Sequence, residues 1–219
     1  MSYKLVVFDL DGTLVNSLAD LAIAVNSGLK KAGLPTHEVD KYKVFVGNGR
    51  EKLIDRAMGE SFTSEKLRKI VKDEFDSFYK LHCNDNTAAY KNCEKMLRGL
   101  KKAGIKTAVL SNKPDEFVGE ILNKTYPDFK FDTAWGKKPE YPTKPSPEAL
   151  NAIIDMLGVK KSECLYIGDS DVDIFTAENA GVDMLGVEWG FRGKDELISA
   201  GAKFVAADAM EILEYINEN

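Results

Sequence analysis

Three times along this chain a short apolar run stops abruptly at a cluster of polar and acidic residues, and this repeated design constrains the fold more than any other feature. Leu5-Val6-Val7-Phe8 ends at Asp9-Leu10-Asp11-Gly12-Thr13. Thr107-Ala108-Val109-Leu110 ends at Ser111-Asn112-Lys113-Pro114, and Cys164-Leu165-Tyr166-Ile167 ends at Gly168-Asp169-Ser170-Asp171. A fourth run is Met184-Leu185-Gly186-Val187. Continuous apolar runs of this length, without alternation, are how strands buried on both faces read. Between them, residues 93–103, 115–125, 147–157, 171–180 and 208–217 carry apolar residues at helical spacing, several closed by a glycine such as Gly104, Gly158 or Gly181. Alternating strands and helices predict an α/β fold, a Rossmann-like parallel sheet core with helices on both faces. Ligands of such sheets bind beyond the carboxyl ends of the strands, where the polar clusters would emerge.

Residues 15–83 interrupt the alternation. They predict three amphipathic helices, at 17–32, 49–58 and 64–81, and no central strand. Ser64 stands where it can cap the third of them. The polar stretch 84–89 reads as a return hinge. The expected organisation is a core of residues 1–14 and 84–219 with an inserted helical cap domain, 15–83.

Composition narrows the chemistry. No stretch approaches the roughly 20 apolar residues of a membrane span, and the N-terminal run is too short for a signal peptide, so a cytoplasmic protein is expected. Cys83, Cys93 and Cys164 are odd in number and lack metal-site spacing, which predicts ordinary reduced thiols. A net charge of -5 provides no general field for a polyanion, so nucleic acid is not an expected partner. The two histidines, His37 and His82, fall in no recognisable motif. Carboxylates are left to run any chemistry.

Asp9 and Asp11 stand two residues apart at a strand end, on one face if the strand continues. Two acids so close repel unless a proton, a basic group or a cation lies between them. A hard divalent ion such as Mg2+ suits one or two carboxylates plus a phosphate. The plain alternative is a pair of aspartates capping a turn.

Asp9-Leu10-Asp11-Gly12-Thr13 resembles the first signature of the haloacid dehalogenase superfamily, and the likeness extends over nearly the whole chain. Ser111-Asn112 resembles its second motif, Lys144 in Thr143-Lys144-Pro145 its third, and Gly168-Asp169-Ser170-Asp171-Val172-Asp173 its fourth. The resemblance implies a Mg2+-dependent phosphatase. Asp9 would be the nucleophile, and Asp11 the acid that protonates the leaving group and then the base that activates water. Ser111, Asn112 and Lys144 would bind phosphate, Lys144 also neutralising charge as it moves. The metal would take a side-chain oxygen of Asp9, the backbone carbonyl of Asp11, and Asp169. Asp173 would orient the site and Lys144 from behind, while Asp171 is expected as an exposed acid at a helix start. Lys137 and Lys138 match the third motif less well than Lys144.

Phe45-Val46-Gly47-Asn48-Gly49-Arg50 resembles the cap segment of phosphoglycolate phosphatase-like members. Asn48 and Arg50 are the candidates for substrate selection, Arg50 by pairing with an anionic group; a structural helix-entry loop is the alternative. Many such phosphatases carry a proline-glycine turn where this chain has Ala89-Tyr90-Lys91-Asn92, so a different hinge geometry is possible. The expected substrate is a small phosphorylated metabolite, phosphoglycolate first, for a monomer or homodimer. Inorganic pyrophosphatase and sugar phosphomutase activities share the core motifs. A phospho-acceptor signalling module is the non-enzymatic rival.

Overall fold

The computed structural model describes residues 3–219. Its main sheet has six parallel strands in the order β5-β4-β1-β6-β7-β8: β1 Leu5–Phe8, β4 Lys106–Pro114, β5 Thr133–Lys137, β6 Cys164–Gly168, β7 Asp183–Val187 and β8 Val205–Ala206. β1 lies between β4 and β6, with Phe8 opposite both Val109 and Ile167. The first three polar clusters therefore issue side by side at one edge. The four central runs are the four anticipated strands. β5 and β8 were not anticipated, because Thr133-Ala134-Trp135-Gly136-Lys137 has no sustained apolar run and β8 has only two residues.

The core crossovers are α4 Cys93–Lys102, α5 Asp115–Thr125, α6 Glu148–Met156, α7 Asp171–Ala180, α8 Lys194–Ser199 and α9 Ala209–Glu218. Leu5, Val7 and Tyr166 face one helix layer, with Leu150 and Ile153, while Val6, Phe8 and Leu165 face the other, with Leu97 and Ile212. These side chains are essentially fully buried, and each contributes about 1.5–3 kcal/mol relative to exposure.

Between β1 and α4 lie α1 Leu18–Lys31, α2 Arg50–Met58 and α3 Glu65–His82, joined by two 3-10 turns. α1 and α3 approach closely at Gly28, where a Cβ would lie 2.5 Å from the Val71 carbonyl oxygen. Only glycine lets the two backbones meet there. Ser64 caps α3 by accepting from the Leu67 N–H. The helical segment is entered and left through a two-stranded antiparallel clasp, β2 Val15–Asn16 with β3 Ala88–Ala89. Buried Asp20 secures the return by accepting from the Asn86 N–H and side-chain amide and from the Thr87 hydroxyl. The divergent turn ends at Asn92, which adopts φ 62° and donates to both Asp208 oxygens. No helix among the described residues is long and apolar enough to cross a membrane.

Candidate active site

The site lies where β1, β4 and β6 end. Asp9 follows β1 directly, its N–H bonded to the Ile167 carbonyl at 2.8 Å, so its position is fixed by the sheet. Beyond Asp11 the chain turns at Gly12, φ 98°, where a Cβ would sit 2.3 Å from Asp169 Oδ2. Glycine is required here twice over, for the left-handed backbone and for the space that Asp169 occupies.

Asp9, Asp169 and Asp173 each offer an oxygen within 4.8 Å of the others. Lys144 Nζ stands among them, 2.8 Å from Asp9 Oδ1 and 2.7 Å from Asp173 Oδ1, and donates to the Tyr166 hydroxyl at 3.0 Å. Asp173, wholly buried, also accepts from the Ser170 N–H and hydroxyl, which closes the first turn of α7 and clamps Lys144 from behind. Asp169 Oδ2 accepts from the Phe191 N–H at 2.7 Å. Burial pushes the Asp9 carboxyl up to about 7, with Lys144 acting against the rise. Burial likewise raises Asp169 well above the carboxylate range. For Lys144 burial works against the charge, but Asp173 and Asp9 outweigh it and hold the ammonium protonated.

Fully ionised, three carboxylates against one ammonium would leave two negative charges uncompensated in a buried space, which is why burial raises Asp9 and Asp169. An all-oxygen donor set with that deficit fits a hard divalent cation.

Asp11 is set apart from this group. Lys113 Nζ donates to both its carboxylate oxygens at 3.0 Å, and the Ser17 hydroxyl donates to Oδ1. The Lys113 side chain is 2% exposed and lies over the Tyr79 ring, 5.1 Å from its centroid. Burial opposes the charge on Lys113, but Asp11 and Tyr79 together raise its pKa. Sequence reasoning passed over Lys113, Ser17 and Tyr79. The signal for Lys113 was present: β4 runs on to Pro114, so Lys113 shares a face with Ser111, which is lost if the strand is ended at Leu110.

The other anticipated residues fall as follows. Ser111 is buried on the pocket wall, its hydroxyl accepting from the Lys113 N–H. The Asn112 amide joins three segments, accepting from the Lys144 N–H and donating to the Lys144 and Gly47 carbonyls. Asp171 opens α7 and is half-buried rather than exposed. Lys138 is engaged by Asp115 and Trp135, away from the carboxylates. Arg50 lines the pocket, but its guanidinium is paired with Asp76 at 2.7 Å and Glu51 at 3.2 Å. Asn48 accepts from Arg56 at 2.6 Å. His37 and His82 bond to the Ala57 carbonyl and to Asp85, outside the site. The pocket is roofed by the helical segment and lined by Asp9, Asp11, Ser111 and Lys113 below and Leu21, Leu53, Phe75 and Tyr79 above. Arg192 ties the two sides by donating to the Val46 carbonyl at 2.9 Å.

A parallel sheet that brings a buried, cation-deficient carboxylate cluster, one lysine and a separate aspartate to the mouth of a roofed pocket is the arrangement of a hydrolase working on an anionic group. Residues 6–187 match the family model described as haloacid dehalogenase-like hydrolase, and the chain belongs to that family. Within it the chain is a phosphoric monoester hydrolase, similar to the phosphoglycolate phosphatases. That of Vibrio parahaemolyticus is 36% identical over 97% of this chain and 96% of its own length, and that of Mannheimia succiniciproducens is 32% identical over 98% of each. The crystal structure of a predicted phosphoglycolate phosphatase from Haemophilus somnus superposes with a TM-score of 0.90 at 32% identity, covering 98% of both chains. A Lactobacillus delbrueckii protein superposes with a TM-score of 0.93, also at 32% identity, over 99% of both.

Proposed function

We propose that the chain hydrolyses a small phosphate monoester, phosphoglycolate first among candidates, with Mg2+ and through a phosphoryl group carried on Asp9. The observation that carries this reading is the division of labour between the two aspartates. Asp9 stands with Lys144 in the cation-deficient cluster, and Asp11 is held apart by Lys113 and Ser17. In the first step an Asp9 oxygen attacks phosphorus, the ester P–O bond breaks, and Asp11 gives its proton to the departing alkoxide. In the second, Asp11 takes a proton from water as its oxygen attacks phosphorus, the bond from phosphorus to the Asp9 oxygen breaks, and inorganic phosphate leaves with Asp9 restored.

The Ser111 hydroxyl donates to the phosphoryl oxygens. Asn112 adds an N–H once its bond to Gly47 is given up. Lys144, fixed by Asp173 and Tyr166, offsets the charge that builds on phosphate as the bonds exchange. Asp9, Asp169 and the backbone carbonyl of Asp11 are the groups that would hold Mg2+. When bound there, the ion would supply the missing positive charge, which would keep Asp9 ionised at neutral pH and offset the charge on phosphate.

Residues 15–83 act as a cap that excludes water while the ester is cleaved, with Asn48 and Arg50 screening substrates at its rim.

The test is a panel of phosphoglycolate, pyrophosphate and hexose phosphates, assayed with and without Mg2+ for the parent, Asp9→Asn and Asp11→Asn. Turnover of the small monoester is expected only with Mg2+. It should vanish in Asp9→Asn and fall about 10²–10⁴-fold in Asp11→Asn. Appreciable turnover by purified, folded Asp9→Asn would remove Asp9 from the nucleophile's role. Preference for pyrophosphate or interconversion of hexose phosphates would replace the substrate assignment.

A further inference from the structure

We infer that Lys113 is the positioning residue of Asp11, holding its carboxylate in the orientation from which it serves the leaving oxygen, and that Tyr79 of the helical insert holds Lys113 in that role. The inference rests on the proposed function and deepens it, because it places a residue of the insert behind the proton transfer.

The bonds around Asp11 carry it. Asp11 stands beyond the end of β1 and just before the turn at Gly12, so its side chain depends on its own partners for a fixed direction. Lys113 Nζ donates to both carboxylate oxygens at 3.0 Å, and the Ser17 hydroxyl donates to Oδ1. Gripped at both oxygens, the carboxylate cannot rotate without breaking a charge-assisted pair. Oδ1 takes two of these bonds and Oδ2 one, which leaves the remaining lone pair on Oδ2. Oδ2 is therefore the oxygen that exchanges a proton with the ester.

Lys113 itself is committed on every side. An ammonium has three N–H donors; the Asp11 oxygens take two and the Tyr79 phenol the third, with the ring centroid 5.1 Å from Nζ. The Lys113 side chain is also buried. Without a free donor it binds neither phosphate nor leaving group, and its effect on the reaction passes through Asp11. Tyr79 is held in turn, stacked on Phe75 of α3 at 5.1 Å and met edge-on by Phe117 of α5 at 5.1 Å. The series Tyr79, Lys113, Asp11 thus runs from the insert, across its contact with the core, to the acid. The rival is a buried cation that only neutralises Asp11 and fastens the insert.

The two roles part on the leaving group. Ethyl phosphate and acetyl phosphate are of nearly equal size, but ethoxide needs a proton as it departs, whereas acetate leaves as a stable anion. The experiment measures kcat/KM, which reports the reaction up to cleavage of the ester bond, for both substrates with the Mg2+-loaded parent, Asp11→Asn, Lys113→Met and Tyr79→Phe, spontaneous hydrolysis subtracted. Asp11→Asn should lose about 10²–10⁴-fold more on ethyl phosphate than on acetyl phosphate. Lys113→Met should show the same selective loss, on the order of 10–10²-fold, as a misdirected acid gives. Tyr79→Phe should follow in the same direction by roughly 3- to 10-fold, the worth of one hydrogen bond. An equal loss on both substrates in Lys113→Met, with Asp11→Asn still selective, overturns the inference and leaves the proposed function standing. An equal loss in Asp11→Asn removes the acid assignment itself, and the inference with it. A selective Lys113→Met beside an unselective Tyr79→Phe removes the insert's share alone. If Lys113→Met does not fold, Tyr79→Phe decides: selective loss upholds the inference, and equal loss or none overturns it.

Discussion

Replacing Lys144 by methionine roughly keeps the length of the side chain and removes the ammonium that stands among three buried carboxylates. Its nitrogen lies 2.8 Å from Asp9 and 2.7 Å from Asp173. At an effective dielectric constant of about 20, each contact amounts to roughly 6 kcal/mol of attraction. Desolvating the three charges offsets much of this. Removing one partner from such a buried group nevertheless costs about 3–5 kcal/mol, because the remaining charges are left uncompensated. That is a large fraction of a total stability of about 5–15 kcal/mol.

The assay is equilibrium urea unfolding in EDTA. With a slope of about 2–3 kcal/mol per molar, the midpoint of Lys144→Met should fall by roughly 1–2 M at pH 8. The deficit has a definite pH dependence. Burial holds the Asp9 carboxyl at about 7 in the folded chain, above its value in the unfolded one. A group raised in this way favours the folded state at low pH and loses that contribution as pH rises through the folded value. Without Lys144, which opposes the rise, Asp9 takes up a proton more readily still. The deficit should therefore be small at pH 5 and grow towards pH 8, and added Mg2+ should recover part of it. Equal midpoints for variant and parent at pH 8 in EDTA, or a larger deficit at pH 5, would refute the charge accounting of the site.

Gly12→Ala should lose most activity and weaken Mg2+ binding, read by calorimetric titration, since its Cβ would overlap Asp169 Oδ2 at 2.3 Å on a left-handed backbone; undiminished affinity would show that Asp169 moves aside freely. Burial pushes the Cys83 thiol up to about 11 and those of Cys93 and Cys164 up to about 12. Ellman's reagent at pH 8 should therefore detect almost no thiol in the native chain and all three after denaturation, and rapid reaction of native protein would contradict the packing around them.

What the sequence revealed, and what it hid, follows from how each residue is specified. Leu5–Phe8 and Cys164–Gly168 are legible as central strands because burial on both faces demands unbroken apolar runs. β5 lies at the edge of the sheet, where Thr133 and Lys137 are tolerated, so the pattern fails there. Asp9, Asp169, Asp173 and Lys144 could be named by their resemblance to the family's motifs, and the structure sets the three carboxylates within 4.8 Å of one another with Lys144 against Asp9 and Asp173. Tyr79 and Lys113 could not be paired from sequence, since one lies on the third helix of the insert and the other 34 positions on, in β4. Only the fold brings them over one another. Phe191 meets Asp169 through a backbone N–H, which no residue type announces. Asn92 makes its turn without a glycine: it takes the left-handed φ itself, as asparagine does more readily than most residues, and ties the turn to Asp208. The motif residues thus record the chemistry shared across the family.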